Sequence, residues 1–384
     1  MNKGNFLNRL STSYRQVVNK TPTPKCPHFS ICSGCEILLD QLPSVWDSVL
    51  AFFRSHSIEP DLWQGSPLKW RLKAKLPIRV ASGQLVIGLF KKGTHEAVSI
   101  PSCLVHHPSI NRAVETLLQA IREENVSIYD EKSQRGHLRY AQMVVSKETG
   151  LVQLGLVVHA PSLTEDVQRL CKRLQKDLWH SIWVNFHPEA NNRVLGDSWQ
   201  HVSGDSWLYQ PFLGEKIPFH PGAFSQANLE LFEDLVQKIQ SWTLPEDRVV
   251  ELFAGVGVIG ASLPRCKSVL LVENNPFAEL SFKERFGNKT PAKYQLQDAS
   301  EFSDFSEFDL VIVDPPRKGL GAKLLQSLSR AQKLRLIYVS CGWKSFQTDA
   351  NALLASGWNL KKAEGFYLFP GTDHIEVLAL FEKD

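Results

Sequence analysis

The sequence predicts an α/β protein: a C-terminal doubly wound domain, residues 215–384, preceded by a mixed α+β central region, residues 68–214. Three observations predict it. From about residue 219 onward, apolar strand-like runs alternate with helical periodicity, the pattern of a parallel sheet covered on both faces. Gly255, Gly257 and Gly260 stand in G-x-G-x-x-G register directly after one such run, the turn of a Rossmann-like domain. Upstream, strand-like runs broken by Gly and Pro mix with two helical stretches.

Taken in order, residues 1–25 form a basic tail with Lys3, Arg9, Arg15, Lys20 and Lys25 and no acid. Residues 26–67 hold a knot of three cysteines and then a helix over about 39–57, where Trp46, Val49, Leu50 and Phe53 recur at helical spacing. In the central region, 79–90, 136–146, 151–159 and 182–186 read as strands, and 109–124 and 163–178 as helices. A helix over 225–239 leads into the last domain. There follow a strand at 249–253, the Gly-rich turn with a helix behind it, and strands at 269–272, 310–313, 336–340 and 377–381.

Composition narrows the class. Hydrophobic residues make up 43% of 384 and charged residues 22%, close to the globular average, which excludes disorder, collagen-like repeats and a coiled coil. No apolar run approaches the roughly 18 residues that span a bilayer, and the first 25 residues lack a signal-peptide core, so a cytoplasmic protein without a membrane partner is expected. The net charge of +3 is too small to imply a polyanion by itself. Seven cysteines without a secretory signal fit a reducing compartment, where clustered cysteines mean metal or catalysis.

The chemistry collects at strand ends of the last domain. Gly255 and Gly257 allow a tight turn and close backbone approach to a ligand, while the following helix aims its N-terminus at the site. Eighteen residues beyond Gly255, Glu273 ends the next strand, where its carboxylate can accept hydrogen bonds from both ribose hydroxyls of an adenosine. This geometry suits a dinucleotide or S-adenosylmethionine. Asp314-Pro-Pro-Arg317, at the end of a third strand, decides for S-adenosylmethionine, because methyltransferases commonly place an acidic Pro-Pro lip there and a dehydrogenase has no need of one. Cys341 follows a fourth strand and is placed for nucleophilic attack over the cofactor, with Arg317 and Lys344 near enough in sequence to lower its pKa. Asp373, His374 and Glu376 supply acid/base candidates; Glu376, entering an apolar strand, is the one whose burial would make it a base. Methyl donor, cysteine and carboxylate are what methylation of uracil carbon 5 requires: thiolate addition at carbon 6 makes carbon 5 nucleophilic, and a base then removes the carbon 5 proton.

At this point the sequence resembles the uracil-C5 RNA methyltransferases over nearly the whole chain after residue 25. The resemblance rests on Cys26-Pro-His-Phe-Ser-Ile-Cys-Ser-Gly-Cys35, Phe224-Ser-Gln226, Glu251-Leu-Phe-Ala-Gly-Val-Gly257, Asp314-Pro-Pro-Arg317, Ser340-Cys341 and Thr372-Asp-His-Ile-Glu376, in the family's order. It implies Cys341 as nucleophile and Glu376 as proton-abstracting base. Around S-adenosylmethionine it implies Gln226, Phe253, Val258, Glu273 and Asp314, and Asp298 completes that set with Gly255 and Gly257. Two departures stand out: Gly342 occupies the position after the cysteine where relatives have Asn, and 25 residues before Cys26 are too few for the N-terminal TRAM β-barrel of many relatives.

Cys26, Cys32 and Cys35 need a fourth ligand, for which Cys103 is the choice; Cys171 and Cys266 sit in core-like settings. Four thiolates suit zinc or an iron–sulfur cluster equally. The resemblance implies a 4Fe-4S cluster, as in the 23S rRNA-modifying branch, in a role that folds the RNA-binding region. Residues 69–79 alternate basic and apolar side chains, so Lys69, Arg71, Lys73 and Lys75 share one face, read with Arg317 as an RNA-binding surface. The expected partner is structured RNA, 23S rRNA before tRNA, and not DNA, with the target uridine flipped out to reach Cys341. Other readings predict otherwise. A nicotinamide-dependent oxidoreductase leaves 314–317 unexplained, a cytosine-C5 enzyme needs a cysteine where Arg317 stands, and a silent RNA-binding protein makes Cys341 and Glu376 dispensable.

Overall fold

A computed structural model describes residues 23–174, 178–263, 266–287 and 292–384; Lys3, Arg9, Arg15 and Lys20 of the basic tail lie outside the described residues. Among these, the apolar runs of the C-terminal region form an eight-stranded sheet. Its spatial order is Asp61–Gln64, Asn359–Tyr367, Glu376–Lys383, Leu334–Ser340, Leu310–Val313, Arg248–Leu252, Ser268–Glu273 and Lys293–Leu296. Glu376–Lys383 runs antiparallel to both its neighbours and every other pairing is parallel. Central strands such as Leu310–Val313 are buried along their whole length, as continuous apolar runs covered on both faces must be.

The central region forms a seven-stranded sheet in the order Ala97–Ser99, Gln84–Phe90, Lys73–Ala81, Leu138–Val145, Val152–Val158, Trp179–Phe186 and Ser198–Gly204. Only Val152–Val158 and Trp179–Phe186 pair in parallel, and the helix Glu165–Arg173 makes the crossover between them. The 79–90 run, read as one strand, is a hairpin, because Ser82 and Gly83 take positive φ and turn the chain.

Two sequence boundaries fall differently in three dimensions. The second half of segment 26–67 packs with the C-terminal sheet. The helix Val45–Ser55 sets Phe52 edge-on to Trp343, and Asp61–Gln64 pairs in parallel with Asn359–Tyr367. Position 214/215 is the tip of a hairpin between Leu208–Phe212 and Glu215–Phe219. The helix expected over 225–239 begins at Leu229, because the Asn228 side chain caps it by accepting from the Leu231 N–H, and this leaves Gln226 in a loop. No α-helix directly follows the Gly-rich turn among the described residues, which break off after Leu263. A short 3₁₀ turn, Gly260–Ser262, stands there, and Leu263 is extended, as a residue before proline prefers. The expected helix N-terminus is therefore absent from the turn. No helix among the described residues is long and apolar enough to cross a membrane.

Candidate active site

Parallel strands deliver all their carboxyl ends to one edge of a sheet, and here that edge opens on a cavity of about 740 Å³, within the usual range for a small-molecule site. Phe253 and Gly255 reach it from the end of Arg248–Leu252, Glu273 from Ser268–Glu273, Asp314 from Leu310–Val313 and Cys341 from Leu334–Ser340. Gln226, Asp298 and Arg317 line it from loops. Glu376 arrives by a different route. Its strand runs antiparallel with Ser340 opposite Val377, so the start of one strand meets the end of the other, and Glu376 stands beside Cys341.

The Gly255–Glu273 end of the cavity is built from backbone. Gly255 N–H donates to Glu273 Oε2 at 2.9 Å, and the N–H groups of Asn274 and Asn275 donate to Oε1 at 2.9 and 2.8 Å, which fixes that carboxylate at the rim. Phe253 adopts φ 62°, a conformation non-glycine residues rarely take, and its ring faces the cavity. Asp298 caps a short turn, and hydrogen bonds donated to it by the Ser300 hydroxyl first and the Ser300 N–H second hold its carboxyl below the usual range. Val258 lines a smaller adjoining cavity together with Gln226, Phe253 and Asp314. Gly257 takes φ +76° and packs closely, since a Cβ there would come within 2.7 Å of Leu271 Cδ1.

Glu251, legible in the sequence only as part of a motif, lies beneath this turn. It is 1% exposed, and its Oε2 accepts from Gly260 N–H at 2.6 Å. Burial first, then the Asp314 and Glu273 carboxyls, pushes its pKa up to about 8 from 4.5. The folded state therefore holds a proton that the unfolded chain releases, and stability falls as pH rises from about 4.5 to about 8, by on the order of a few kcal/mol. Glu251→Gln keeps the acceptor and removes the charge. The variant is expected to melt higher than the parent at pH 8 and with a flatter pH dependence; parallel melting curves from pH 5 to 8 would refute this.

At the reacting end the charges oppose the expectation for Cys341. Burial first, then Glu376 and Asp314, pushes its thiol up to about 12, and Arg317 is the charge that pulls it down. Lys344 is exposed and takes no part. Glu376 is 3% exposed, and burial beside Asp314 raises both carboxyls well above the ordinary range. The glycine at 342 is matched by Ser345. Its Oγ lies 2.8 Å from the Arg317 carbonyl oxygen, and a Cβ on Gly342 would come within 2.7 Å of that hydroxyl and 2.9 Å of that carbonyl. Asp373 is structural: its carboxylate accepts from Val45 N–H and Ser44 Oγ–H at 3.1 and 2.9 Å. Phe224, 62% exposed in a loop without periodicity, lines both cavities and was legible only as part of a motif.

Cys26, Cys32, Cys35 and Cys103, all free thiols, line a third, separate cavity of about 140 Å³. Among the described residues no three cysteine, histidine or acidic side chains stand in metal-holding geometry. Arg71 lines this same cavity half-buried; loss of solvent, acting first, lowers its pKa, and Cys103 and Cys35 work against that. The four basic residues do not share one exposed face: Arg71 turns to the thiol cavity, and Lys73 Nζ donates to Ala223 O and Ser225 Oγ at 3.3 and 3.2 Å, while burial and Lys75 bring its pKa down to about 7. The alternation fails because Lys69 takes φ 59° and the strand begins only at Lys73. Lys75 and Arg317 remain exposed.

Comparison with known proteins points the same way. The family model for tRNA (uracil-5-)-methyltransferases matches residues 283–384. An RNA methyltransferase of Protochlamydia amoebophila is 42% identical over 373 residues, covering 93% of this chain and 97% of its own. One of Halalkalibacterium halodurans is 25% identical, covering 99% and 86%. Among solved structures, the tRNA (uracil-54, C5)-methyltransferase of Pyrococcus abyssi with S-adenosyl-L-homocysteine superposes with a TM-score of 0.71 at 24% identity, over 88% of this chain and 83% of that one.

Proposed function

Because the chain belongs to the uracil-C5 RNA methyltransferase family, we propose that it methylates carbon 5 of one uridine in structured RNA, in 23S rRNA, through a covalent adduct on Cys341. One observation carries the reading: a single cavity is lined by the residues suited to S-adenosylmethionine and by Cys341 and Glu376 together. The thiol proton passes to Asp314, whose carboxyl burial has made basic, leaving Glu376 as the carboxylate; Cys341 Sγ bonds to carbon 6 of a flipped uracil, and the C5–C6 electron pair moves out as an enolate. Bound S-adenosylmethionine supplies the methyl group to carbon 5. The Glu376 carboxylate then takes the carbon 5 proton, the electron pair re-forms the C5–C6 double bond, and the Sγ–C6 bond breaks to release Cys341. Gln226, Phe253, Gly255, Glu273, Asp298 and Asp314 hold the cofactor, and Lys69, Lys75 and Arg317 contact phosphates.

The 23S assignment is tested against tRNA, which the family description and the Pyrococcus abyssi enzyme name for their own members. Protein purified without oxygen is incubated with labelled S-adenosylmethionine and, separately, 23S rRNA or tRNA from cells lacking its gene, and 5-methyluridine is mapped by mass spectrometry. Label at one 23S uridine is expected. Label in tRNA alone would overturn the substrate, and label in neither would overturn the reaction.

Cys26, Cys32, Cys35 and Cys103 would hold the 4Fe-4S cluster. The fit rests on four free thiols around one cavity and on Arg71, a half-buried cation at that cavity whose charge those thiolates would offset. Iron and sulfide are expected in the purified protein and are lost in Cys103→Ser. Cys171→Ser, altering a thiol sealed in the core by the helix Glu165–Arg173, retains them. Zinc without sulfide would refute the cluster.

A further inference from the structure

The cysteine segment and the strand carrying Glu376 meet at one short turn. The Gly371 carbonyl accepts from the N–H groups of Glu36 and Ile37 at 2.7 and 3.2 Å. Gly371 has φ +92°, and a Cβ there would lie 3.0 Å from Cys35 Sγ, so its backbone rests directly on the thiol. Gly371 N–H donates to Tyr367 Oη at 2.9 Å, which ties the turn to the neighbouring strand Asn359–Tyr367. Two residues on, Asp373 N–H donates to Glu36 Oε2 at 3.1 Å, and the Asp373 carboxylate caps the helix Val45–Ser55 through Val45 N–H and Ser44 Oγ–H. The chain then has only His374 and Ile375 before Glu376 enters its strand.

We propose that the segment 32–45 is the positioning element of the base: Glu36 and Asp373 hold the 369–375 turn so that the Glu376 carboxylate faces carbon 5 above Cys341. This rests on the reading of Glu376 as the base. Asp373 is a positioning residue and touches no reacting atom. Its loss frees the turn at its middle while leaving the residues that hold the cofactor on other strands. A displaced base slows the step after methylation, so the methylated adduct on Cys341 accumulates, which a merely destabilised fold does not produce.

The experiment compares Asp373→Ala, Asp373→Asn and Glu36→Ala with the parent and with Glu376→Gln on the same RNA. It reads turnover, S-adenosylhomocysteine affinity and the fraction of protein in a denaturant-stable labelled RNA adduct. Asp373→Ala is expected to lose about 10- to 100-fold in turnover, to keep its affinity for S-adenosylhomocysteine and to accumulate adduct. Asp373→Asn restores the rate, since Oδ1 still accepts from Val45 N–H and Nδ2 donates to Ser44 Oγ. Glu36→Ala, at an exposed residue, shows the same pattern more weakly and carries the test if Asp373→Ala does not fold. Turnover lost without adduct, or not lost at all, overturns the positioning role while Glu376→Gln still traps adduct. Absence of adduct in Glu376→Gln itself overturns the base assignment instead.

Discussion

Cys341→Ala is expected to abolish methyl transfer, lowering turnover by about 10⁴-fold or more, while S-adenosylhomocysteine binds as before. The separation is expected because the nucleotide end of the cavity is made by Phe253, Gly255 and the backbone-held Glu273 carboxylate, none of which depends on the thiol. Cys341→Ser is expected to fail as well, since a hydroxyl is a far poorer nucleophile at this pH. The thiol is pushed up to about 12 by burial and by Glu376 and Asp314, so the resting protein holds it protonated and inert toward other electrophiles. On the proposed mechanism, activation therefore belongs to the RNA complex, where the Asp314 carboxylate takes the proton. Slow labelling of Cys341 by a small alkylating reagent at pH 7.5 checks this; rapid labelling would mean the resting thiol is already activated. Retained methyl transfer in Cys341→Ala would remove the covalent mechanism altogether.

The parts of this site legible in the sequence are those that strand ends impose. Glu273, Asp314 and Cys341 each follow an apolar run, and any parallel sheet carries such residues to one edge. Glu376 was legible for a related reason, as the polar start of a run that is otherwise apolar, though its place beside Cys341 depends on the strand running antiparallel, which periodicity does not encode. Other features escaped because they depend on distant partners. Asp61–Gln64 is too short to show a pattern and exists as a strand through pairing with Asn359–Tyr367, some 300 residues away in sequence. Arg71 and Lys73 read as a phosphate face under strict alternation, but one positive φ at Lys69 breaks the register before the strand begins. The sign of the Cys341 shift depends on burial and on two carboxylates from other strands, whereas sequence neighbours suggested two cations.

Glu376→Gln is expected to stop turnover at the step after methylation and so to leave a protein–RNA adduct that survives denaturing gel analysis and carries label from S-adenosylmethionine. The label matters: it places the block after carbon 5 has received its methyl group and before Cys341 can leave. Loss of a positioned general base costs about 10²- to 10⁴-fold in turnover. The same substitution should not weaken the fold. Burial and the adjacent Asp314 make an ionised Glu376 costly, and a neutral amide of the same shape removes that cost. Parent stability falls as pH rises above the ordinary carboxyl range, because the folded state holds a proton the unfolded chain gives up. The variant should therefore melt at or above the parent temperature at pH 8 while being inactive, a pairing that general damage to the structure cannot imitate. Asp314→Asn is the control. It removes the same neighbouring charge, so an adduct that accumulates in Asp314→Asn and not in Glu376→Gln would transfer the base assignment to Asp314. Accumulation in Glu376→Gln with its label in place fixes both the covalent bond at Cys341 and the residue that resolves it.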